Sequence, residues 1–353
     1  MLLLGIAATS GVLIVLWRSR RRRVVSTINS RGSIVTDRAG GGKVIEITED
    51  TTQLQQQELT TQYGSVTPNK GAAGHAGNLV KDGFFFKKEV MDRFENELAF
   101  LQRLAEGDPM GPFAPEFLGV ETIDDLRYLK MRHFMLSFDE ASLCQMDVKM
   151  GVRCFAEKEL ASRKPRKDLF ERLKRMDASV LTPEEIKLGS ITKARWMQLR
   201  DGLSSTTSLG FRVDGVITPS SRREAFGDLA SVRAEDDVVQ ALRSFVRVGG
   251  GPAAADVCRQ VLSRLGGLED ALRRSSLFRE SELIGSSLLF AADGRGRVGV
   301  WMLDFGLTCK APTGPLQHDV PWVLGNHEDG YLTGLVNLRR LWQRLLDENT
   351  WLQ

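Results

Sequence analysis

The chain has 353 residues and a formal net charge of +3, with 42% hydrophobic and 26% charged residues. This length exceeds one average domain, so we expect one large lobe or two small lobes with a sizeable core. The small net charge gives no support to nucleic-acid binding. The four cysteines lack metal-ligand spacing and are too few for a disulfide scaffold, which indicates a reducing compartment.

The N-terminus combines an apolar run with a block of arginines. Residues 2–17 carry no charge, and Arg-Ser-Arg-Arg-Arg-Arg follows at 18–23. A spanning helix needs about 20 apolar residues, so this run is short but usable if arginine side chains extend to the membrane interface. The charge follows the run, unlike in a cleavable signal peptide, and the positive-inside bias places the downstream chain in the cytosol. We predict a membrane anchor and basic flank over 1–23. A targeting peptide and a misassigned start are the alternatives, and the protein is cytoplasmic if this segment is not retained.

Residues 24–73 are rich in Ser, Thr, Gln and Gly and poor in aromatic residues. This composition predicts a flexible tether, with short strands around 44–47. The folded region is therefore expected to begin near residue 74.

The folded region opens with two short strands and a helix. His75-Ala-Gly-Asn and Gly83-Phe-Phe-Phe-Lys-Lys are predicted strands joined by a turn, and Lys87 ends the second one. Helical periodicity follows over 93–104. The apolar stripe of this helix consists of Phe94, Leu98, Leu101 and Leu104, and Glu95 and Glu97 lie outside it. A lysine-bearing strand followed by a helix is typical of nucleotide-binding small lobes.

Two further strands are predicted at 117–120 and 127–131. The next residues, Arg132, His133 and Phe134, would connect the two lobes. Backbone groups in such a connection can meet an adenine ring.

Asp-Val-Lys-Met-Gly at 147–151 is the first motif that suggests chemistry. Asp147 and Lys149 point to the same face of a strand because strand side chains alternate. A lysine can neutralise phosphate oxygens while an aspartate accepts a hydroxyl hydrogen bond, although a solvated surface pair has the same pattern. Trp-Met-Leu-Asp-Phe-Gly at 301–306 delivers Asp304 to a strand end, where a carboxylate can hold Mg²⁺ against nucleotide phosphates.

Two basic clusters follow. The first, which includes Arg166, flanks a helix whose apolar side carries Phe170 and Leu173. This helix has three interpretations: a solvated basic face, a phosphate-collecting face or a calmodulin target. In the second cluster, Lys193 and Arg200 share a helix face and Arg195 lies between them. Neither cluster has the long stripe of a nucleic-acid groove, so both favour a compact polyanion.

The C-terminal region predicts helices over 236–247 and 253–268, with a Gly-Gly-Gly-Pro break at 249–252. A hairpin with strands at 286–290 and 298–304 would bring Ser287 close to Asp304. A last helix packs Leu335, Leu338, Leu341 and Leu345.

Taken together, the motifs resemble the inositol polyphosphate kinase family, and within it the inositol 1,4,5-trisphosphate 3-kinases, from about residue 74 to 345. No His-Arg-Asp catalytic loop precedes Asp-Phe-Gly, which argues against a protein kinase. Six ordered blocks carry the resemblance: Met146-Asp-Val-Lys-Met-Gly-Val-Arg153, Ile191-Thr-Lys-Ala-Arg-Trp-Met-Gln-Leu-Arg200, Ser204-Ser-Thr-Thr-Ser-Leu-Gly-Phe-Arg212, Ile284-Gly-Ser-Ser-Leu-Leu-Phe290, Val300-Trp-Met-Leu-Asp-Phe-Gly306 and Gly325-Asn-His-Glu-Asp-Gly-Tyr-Leu332.

The resemblance implies a two-lobed α+β fold. A small antiparallel-sheet N-lobe would occupy 74–136. A larger α+β C-lobe would occupy 137–353, with an inserted helical inositol-binding subdomain at about 155–200.

The resemblance also implies roles for individual residues. ATP would contact Asn78, Lys87, Arg132, His133, Phe134, Asp147, Ser287 and Asp304. The inositol phosphates would contact Lys149, Arg166, Lys193, Arg195, Arg200 and the position of Leu307. Asp147 and Lys149 would be catalytic, and Asp304 would bind Mg²⁺.

Some positions depart from the family pattern. Leu143 replaces a proline, and Leu307 replaces the lysine or histidine that usually follows Asp-Phe-Gly, which removes a charge from the inositol pocket. Arg166 lies in a stretch two residues shorter than usual, and the apolar N-terminus is unusual for the family.

These features predict an ATP- and Mg²⁺-dependent kinase acting on the 3-hydroxyl of inositol 1,4,5-trisphosphate. A broader inositol polyphosphate multikinase is one alternative, although the long segment between Gly151 and Ser286 argues against it. A catalytically weakened module that binds inositol phosphates is the other, and Leu307 is its best support.

Overall fold

The computed structural model describes residues 77–90, 93–219, 232–246 and 251–348, together with the backbone of five short strands before residue 69. The chain divides into two compact units, Met1–Val66 and Thr67–Gln353. All of the predicted site residues belong to the second unit.

The described part of the first unit is an antiparallel sheet, in which neighbouring strands in the chain are also neighbours in space. Its strands are β1 Ala7–Thr9, β2 Val12–Ser19, β3 Arg22–Ile28 and β4 Ile34–Asp37. The sequence predicted an apolar helix over 2–17, and the structure has strands there instead. The β-branched residues Val12, Ile14 and Val15 favour extended backbone. No helix in the described part of the chain is long and apolar enough to cross a membrane. The strand predicted around 44–47 lies outside the described residues.

The second unit begins with a five-stranded antiparallel sheet of order β5-β6-β7-β9-β8. Its strands are β5 Thr67–Pro68, β6 Leu79–Lys81, β7 Phe84–Lys88, β8 Phe117–Ile123 and β9 Leu126–Arg132. Helix α1, Phe94–Ala105, follows β7 as predicted. Two short 3-10 helices, Gly111–Phe113 and Phe134–Ser137, flank the last two strands.

Helix α1 differs from the sequence prediction on one face. Phe94, Leu101 and Leu104 are buried as expected, but Glu97 is also buried, with 6% of its surface exposed. The predicted stripe left Glu97 outside because periodicity alone assigns a carboxylate to solvent. Its burial requires a charged partner.

The remaining elements of the second unit form the larger lobe. In chain order they are β10 Cys144–Met150, β11 Pro165–Arg166, α2 Lys167–Met176, α3 Pro183–Leu188, β12 Ile191–Thr192, α4 Lys193–Leu203, α5 Thr206–Leu209, β13 Phe211–Ile217, α6 Glu235–Val246, α7 Gly251–Arg274, α8 Ser276–Arg279, β14 Ser281–Glu282, β15 Ser287–Ala292, β16 Val298–Leu303, β17 Cys309–Lys310 and α9 Tyr331–Asp347. Two further 3-10 helices, Glu157–Ala161 and Ala178–Val180, lie before and after α2.

The centre of this lobe is an antiparallel sheet of order β13-β10-β15-β16. Every residue of β15 is buried, because helices α6, α7 and α9 cover the sheet. The hairpin of β15 and β16 confirms the predicted one. The last helix, α9, also confirms its prediction, since the four leucines of the predicted stripe are all fully buried. Helix α7 begins at Gly251, so the predicted Gly-Gly-Gly-Pro break ends inside its first turn, where proline is tolerated.

Helices α2 to α4 have a hydrophobic core of their own, separate from the main one. Its buried members are Phe155, Phe170, Leu173, Leu181, Ile191, Trp196 and Met197. The short strands β11 and β12 pair Arg166 with Ile191, which brings the first basic cluster beside the start of α4. The second unit is thus a two-lobed α+β fold with a small helical subdomain.

Candidate active site

A lysine between two carboxylates connects the two large sheets. Lys87 on β7 donates hydrogen bonds from Nζ to Glu97 Oε1 at 2.7 Å and to Asp304 Oδ1 at 2.8 Å. Glu97 comes from α1, and Asp304 follows directly after β16 in the larger lobe. The bond between Lys87 and Asp304 is therefore a contact between the two lobes. With Glu97, the two residues also form a cluster of charges.

A second lysine extends the cluster. Lys149 Nζ donates to Ser287 Oγ at 2.6 Å and to Asp304 Oδ2 at 3.3 Å, and it lies 3.6 Å from Asp147 Oδ2. Strand register explains this meeting, since Lys149 is opposite Ser287 and Ser287 is opposite Leu303, the residue before Asp304. The predicted proximity of Ser287 and Asp304 thus results from three adjacent strands.

The backbone of Asp304 is strained. Its φ of +64° lies in the left-handed region, which few residues other than glycine adopt. Such strain costs about 1–3 kcal/mol and is most often found at functional sites, where surrounding contacts hold it. The two lysine contacts keep the carboxylate in place here.

The charges in this cluster shift one another's protonation. Burial alone would raise the pKa of Asp304, but Lys87 and Lys149 outweigh burial and lower this pKa to about 2. Burial also opposes the charged form of both lysines, yet the surrounding carboxylates raise the pKa of each above its ordinary value. Burial raises the pKa of Asp147, and Lys149 only partly offsets this. Asp304 is thus ionised at neutral pH, whereas Asp147 takes up a proton more readily than an ordinary aspartate.

One cavity of about 620 Å³ opens on the small-sheet side of the cluster. Most of its lining is apolar or aromatic, with Phe85, Met131 and Phe134 on one wall and Leu289 and Leu303 on the other. An apolar cavity with charged residues at its border suits a nucleotide base and its phosphates.

A second cavity of about 650 Å³ shares Lys87, Glu97 and Asp304 with the first. Nine Lys or Arg side chains and four Asp or Glu side chains line it, a formal excess of five positive charges. Its cationic residues are Lys87, Lys88, Arg93, Lys149, Arg153, Arg166, Lys193, Arg200 and Arg212. This balance favours a compact polyanion.

The structure brings some of the predicted nucleotide contacts to the first cavity. Asn78, His133 and Phe134 line it, and burial lowers the pKa of His133, which keeps the imidazole neutral. Arg132 is not among the lining residues. Its Nε donates to Glu116 Oε2 at 2.5 Å on an exposed surface.

Most of the residues predicted to contact the inositol phosphates line the second cavity, but Arg195 does not. Arg166, Lys193, Arg200 and Leu307 line the second cavity. Arg195 is not among the residues that line it, because its guanidinium donates to Glu185 Oε1 at 2.9 Å and to the Val180 carbonyl. Thr192 caps α4 by accepting a hydrogen bond from the Arg195 amide. Arg195 and Arg200 are five positions apart on this helix, so their side chains lie on different faces of it.

Among the charged residues of the site that sequence reasoning missed are Glu97, Arg153 and Arg212. Glu97 was assigned to solvent. Arg212 ends one of the six motif blocks, and its Nε donates to Asp214 Oδ1 at 3.0 Å. Arg153 is 2% exposed and donates to Glu282 Oε1 at 2.7 Å. Both arginines lie inside motif blocks that carry the family resemblance, and this position could have identified them as candidates. No local sequence pattern predicts the direction of their side chains.

The Asn-His-Glu-Asp-Gly block before α9 is a structural support for the site. Asp329 accepts hydrogen bonds from the amides of Leu283 and Tyr331 and pairs with His318 Nδ1 at 2.8 Å. A Cβ at Gly151, where φ is +98°, would lie 2.9 Å from the Asp329 carbonyl oxygen. Glycine at 151 therefore allows a close approach of protein backbone.

The donor set fits a hard divalent cation that shares its coordination with phosphates. Mg²⁺ is usually held by one or two carboxylates together with waters and phosphate oxygens. Asp304 supplies an ionised carboxylate, and Asp147 Oδ1 is a buried acceptor with no hydrogen-bond partner among the described residues. Groups of three or more metal-ligating side chains do not occur in the described ranges.

Comparisons with known proteins agree with this geometry. A family model described as inositol polyphosphate kinase matches residues 128–343, more than half of the chain. The chain is 38% identical over 281 residues to inositol-trisphosphate 3-kinase C of Mus musculus, which covers 77% of this chain and 39% of that protein. It is 35% identical over 346 residues to inositol-trisphosphate 3-kinase A of Homo sapiens, which covers 90% of this chain and 72% of that protein.

A solved structure shows the same fold. Inositol phosphate multikinase Ipk2 from S. cerevisiae, in complex with ADP and Mn²⁺, superposes with a TM-score of 0.50 at 18% identity. The superposition covers 74% of this chain and 99% of that chain. With the family match and the identity to the human 3-kinase, the conclusion is that this chain belongs to the inositol polyphosphate kinase family.

Proposed function

We propose that this protein is a kinase that transfers the γ-phosphate of ATP to the 3-hydroxyl of inositol 1,4,5-trisphosphate, giving inositol 1,3,4,5-tetrakisphosphate. The observation that carries the proposal is the meeting of a largely apolar cavity and a strongly cationic cavity at Lys87 and Asp304. Phosphoryl transfer depends on positioning and charge neutralisation, which this arrangement supplies. The names of the similar mammalian 3-kinases suggest the acceptor and the position of transfer.

In this proposal the first cavity takes the nucleotide. The adenine ring lies beside His133 and Phe134, and Lys87 exchanges Asp304 for phosphate oxygens. Asp147 contacts the ribose and lies near the reacting hydroxyl, whose hydrogen bond it accepts. Its raised pKa supports that role, because a more basic carboxylate accepts a proton more readily.

The acceptor occupies the second cavity. Lys149, which lies between Ser287 and Asp304, bridges the transferred phosphoryl group and the inositol. Arg166, Lys193 and Arg200 bind the remaining phosphates, each through charge-assisted hydrogen bonds of about 1.5–3 kcal/mol. Arg195 stays a prediction from the sequence, since its guanidinium is held by Glu185.

Mg²⁺ is the proposed metal, and Asp304 is its proposed protein ligand. When bound, the ion would neutralise charge that develops on the phosphate oxygens. The ADP and Mn²⁺ complex of the yeast multikinase supports the use of a nucleotide with a divalent cation by this family.

The test is a product assay on the full chain. The protein is incubated with radiolabelled ATP, Mg²⁺ and inositol 1,4,5-trisphosphate, and the products are separated by anion chromatography. A single tetrakisphosphate is expected, and Lys149→Ala and Asp304→Asn should each reduce turnover by at least about 100-fold. Lys174→Ala, which alters an exposed lysine of α2, is the control. Normal turnover in both site variants would overturn the proposal.

The same assay separates the alternatives. Several products from several inositol phosphates would indicate a multikinase. Tight binding of the trisphosphate without consumption of ATP would indicate a binding module, for which the apolar Leu307 in the cationic cavity is the supporting observation.

Two partners are proposed from the sequence alone. The apolar residues 2–17 would attach the protein to a membrane with its kinase domain in the cytoplasm, and sedimentation of the full chain with anionic vesicles tests this. The basic helix α2 would bind calmodulin, and a calcium-dependent pull-down that recovers no protein would contradict it.

A further inference from the structure

The second cavity has two cationic residues that differ from the other seven. Each of the seven forms an ion pair with a carboxylate, for example Lys193 Nζ with Glu159 Oε1 at 2.5 Å. Lys88 and Arg93 line the same cavity, and within the described ranges neither has an ion pair. The paired seven are Lys87, Lys149, Arg153, Arg166, Lys193, Arg200 and Arg212.

This difference has a consequence for anion binding. A phosphate that approaches a paired cation competes with the carboxylate already bound to it. The cost of breaking this ion pair reduces the free energy gained when the phosphate binds. A phosphate that approaches Arg93 meets no ion-paired carboxylate among the described residues. An unpaired guanidinium also presents a planar fork that matches two phosphate oxygens.

Packing holds Arg93 at the reaction centre. Its Cβ is close enough to Gly306 that a Cβ on that glycine would lie 2.9 Å from it. The next turn of α1 is fixed to the same place, since Asn96 Nδ2 donates to the Gly306 carbonyl at 3.3 Å. Gly306 is two residues from Asp304, so the start of α1 and the metal-binding turn form one wall of the cavity.

The guanidinium of Arg93 is also available. Arg93 is the N-cap residue of α1 and is exposed. Its neighbour on this wall is Leu307, which follows Gly306 and adds no charge. The positive end of the α1 helix dipole lies at the same position and favours an anion further.

We propose that Arg93 and Lys88, which line the same cavity, form an anion-binding subsite that binds one phosphate of the acceptor from the small-lobe side. The proposal rests on the proposed kinase function, because it names residues that select the acceptor at that site. The phosphate belongs to the acceptor and not to ATP, since both residues line the second cavity and neither is among the residues that line the first. The acceptor would then be held between two walls, by Arg93 and Lys88 on one side and by the helical subdomain on the other.

The experiment measures the Kd for inositol 1,4,5-trisphosphate by calorimetry, and the KM for each substrate, with the full chain. Arg93→Gln is expected to raise the Kd and KM for the trisphosphate by about tenfold to a hundredfold, the loss of one charge-assisted hydrogen bond. The KM for ATP should stay within about twofold, and Arg93→Lys should recover part of the affinity. Lys88→Gln should change the same constants in the same direction.

The matched control is Arg103→Gln. Arg103 is an exposed arginine on the same helix, and it pairs with Glu280 outside the cavity. An unchanged Kd in Arg93→Gln, or an equal rise in the KM values for both substrates, would overturn the inference. A rise in Kd that Arg103→Gln reproduces would overturn it as well, because the effect would then be one of overall charge.

The result also separates this inference from the proposed function. If the wild-type protein binds the trisphosphate but forms no product, the kinase proposal fails, and the Kd values still decide the role of Arg93. If the wild type forms product and Arg93→Gln binds equally well, only the inference on Arg93 fails. A wild-type protein that binds no inositol trisphosphate contradicts both.

Discussion

Lys87 Nζ donates a 2.8 Å hydrogen bond to Asp304 Oδ1, although the two residues are 217 positions apart in the chain. The lysine belongs to the small five-stranded sheet and the aspartate to the turn after the last strand of the large sheet. Because both cavities include these two side chains, a change in the distance between the lobes alters the nucleotide site and the acceptor site together.

Glu97→Gln should weaken catalysis without unfolding the protein. Glu97 holds Lys87 from the α1 side, so its loss lets the ammonium move toward Asp304 and away from the phosphates. We expect kcat/KM to fall by about 10- to 100-fold, as measured by product formation at limiting ATP. Glu95→Gln is the control, because Glu95 is an exposed residue of the same helix that pairs with Arg127. Equal activity of the two variants would show that Lys87 does not need Glu97.

Arg200→Gln and Arg195→Gln should behave differently, although both residues lie on α4. Arg200 lines the acceptor cavity, where Nη2 lies 2.7 Å from Cys154 Sγ, so its loss should raise the acceptor KM by about tenfold. Arg195 pairs with Glu185, and its replacement should cost below about 1 kcal/mol of stability with little change in KM. The measurement is the acceptor KM for each variant. A raised KM in Arg195→Gln would instead support the role that the sequence predicted for Arg195.

Leu173→Ala should damage the acceptor site from a distance. Leu173 is fully buried in the separate core of the helical subdomain, and the cavity left by this truncation costs about 2–5 kcal/mol. Because α4 presents Lys193 and Arg200 from this subdomain, the acceptor KM should rise more than the ATP KM. Lys174→Ala, at the neighbouring exposed position, should leave both constants unchanged. Parallel rises in both KM values would mean that the subdomain does not act separately.

Stability should decline with rising pH because of His318. Burial disfavours the imidazolium, but the carboxylate of Asp329, together with the Phe278 carbonyl and Glu328, outweighs burial and raises the pKa of His318 above 6.5. A raised folded pKa contributes stability that is fully present below pH 6.5 and is lost as pH rises through the folded pKa. Urea unfolding of the wild type and of His318→Gln at a series of pH values measures this. The difference in unfolding free energy between them should shrink toward alkaline pH, and a constant difference would contradict the prediction.

Much of the fold could be read from local patterns in the chain. Alternation along β10 correctly predicted that Asp147 and Lys149 share a face, because side-chain direction in a strand is set by the pleat. The two strand-like runs at 286–290 and 298–304 predicted the β15–β16 hairpin, because runs this close in the chain can pair as neighbours. Periodicity likewise predicted α1 and α9, since each buries a regular apolar stripe.

The same patterns failed where a charge is buried. Helical periodicity places Glu97 on the solvent side of α1. Its burial is favourable only because Lys87 on a neighbouring strand donates a hydrogen bond to it. The positions of Arg195 and Arg132 depended on carboxylates in other elements, Glu185 and Glu116. No local rule identifies such partners, because the energy of an ion pair depends on distance in space and on burial.

The sequence by itself determined which residue types could carry phosphoryl chemistry and which face of a strand or helix each one occupies, because those directions follow from local backbone geometry. Only the tertiary structure decided that Lys87, Lys149, Asp147 and Asp304 meet at one point between two cavities. That meeting depends on the order and register of β10, β15 and β16 and on how α1 packs against the larger lobe. These are contacts between distant segments, and their free energy exists only once the whole unit has folded.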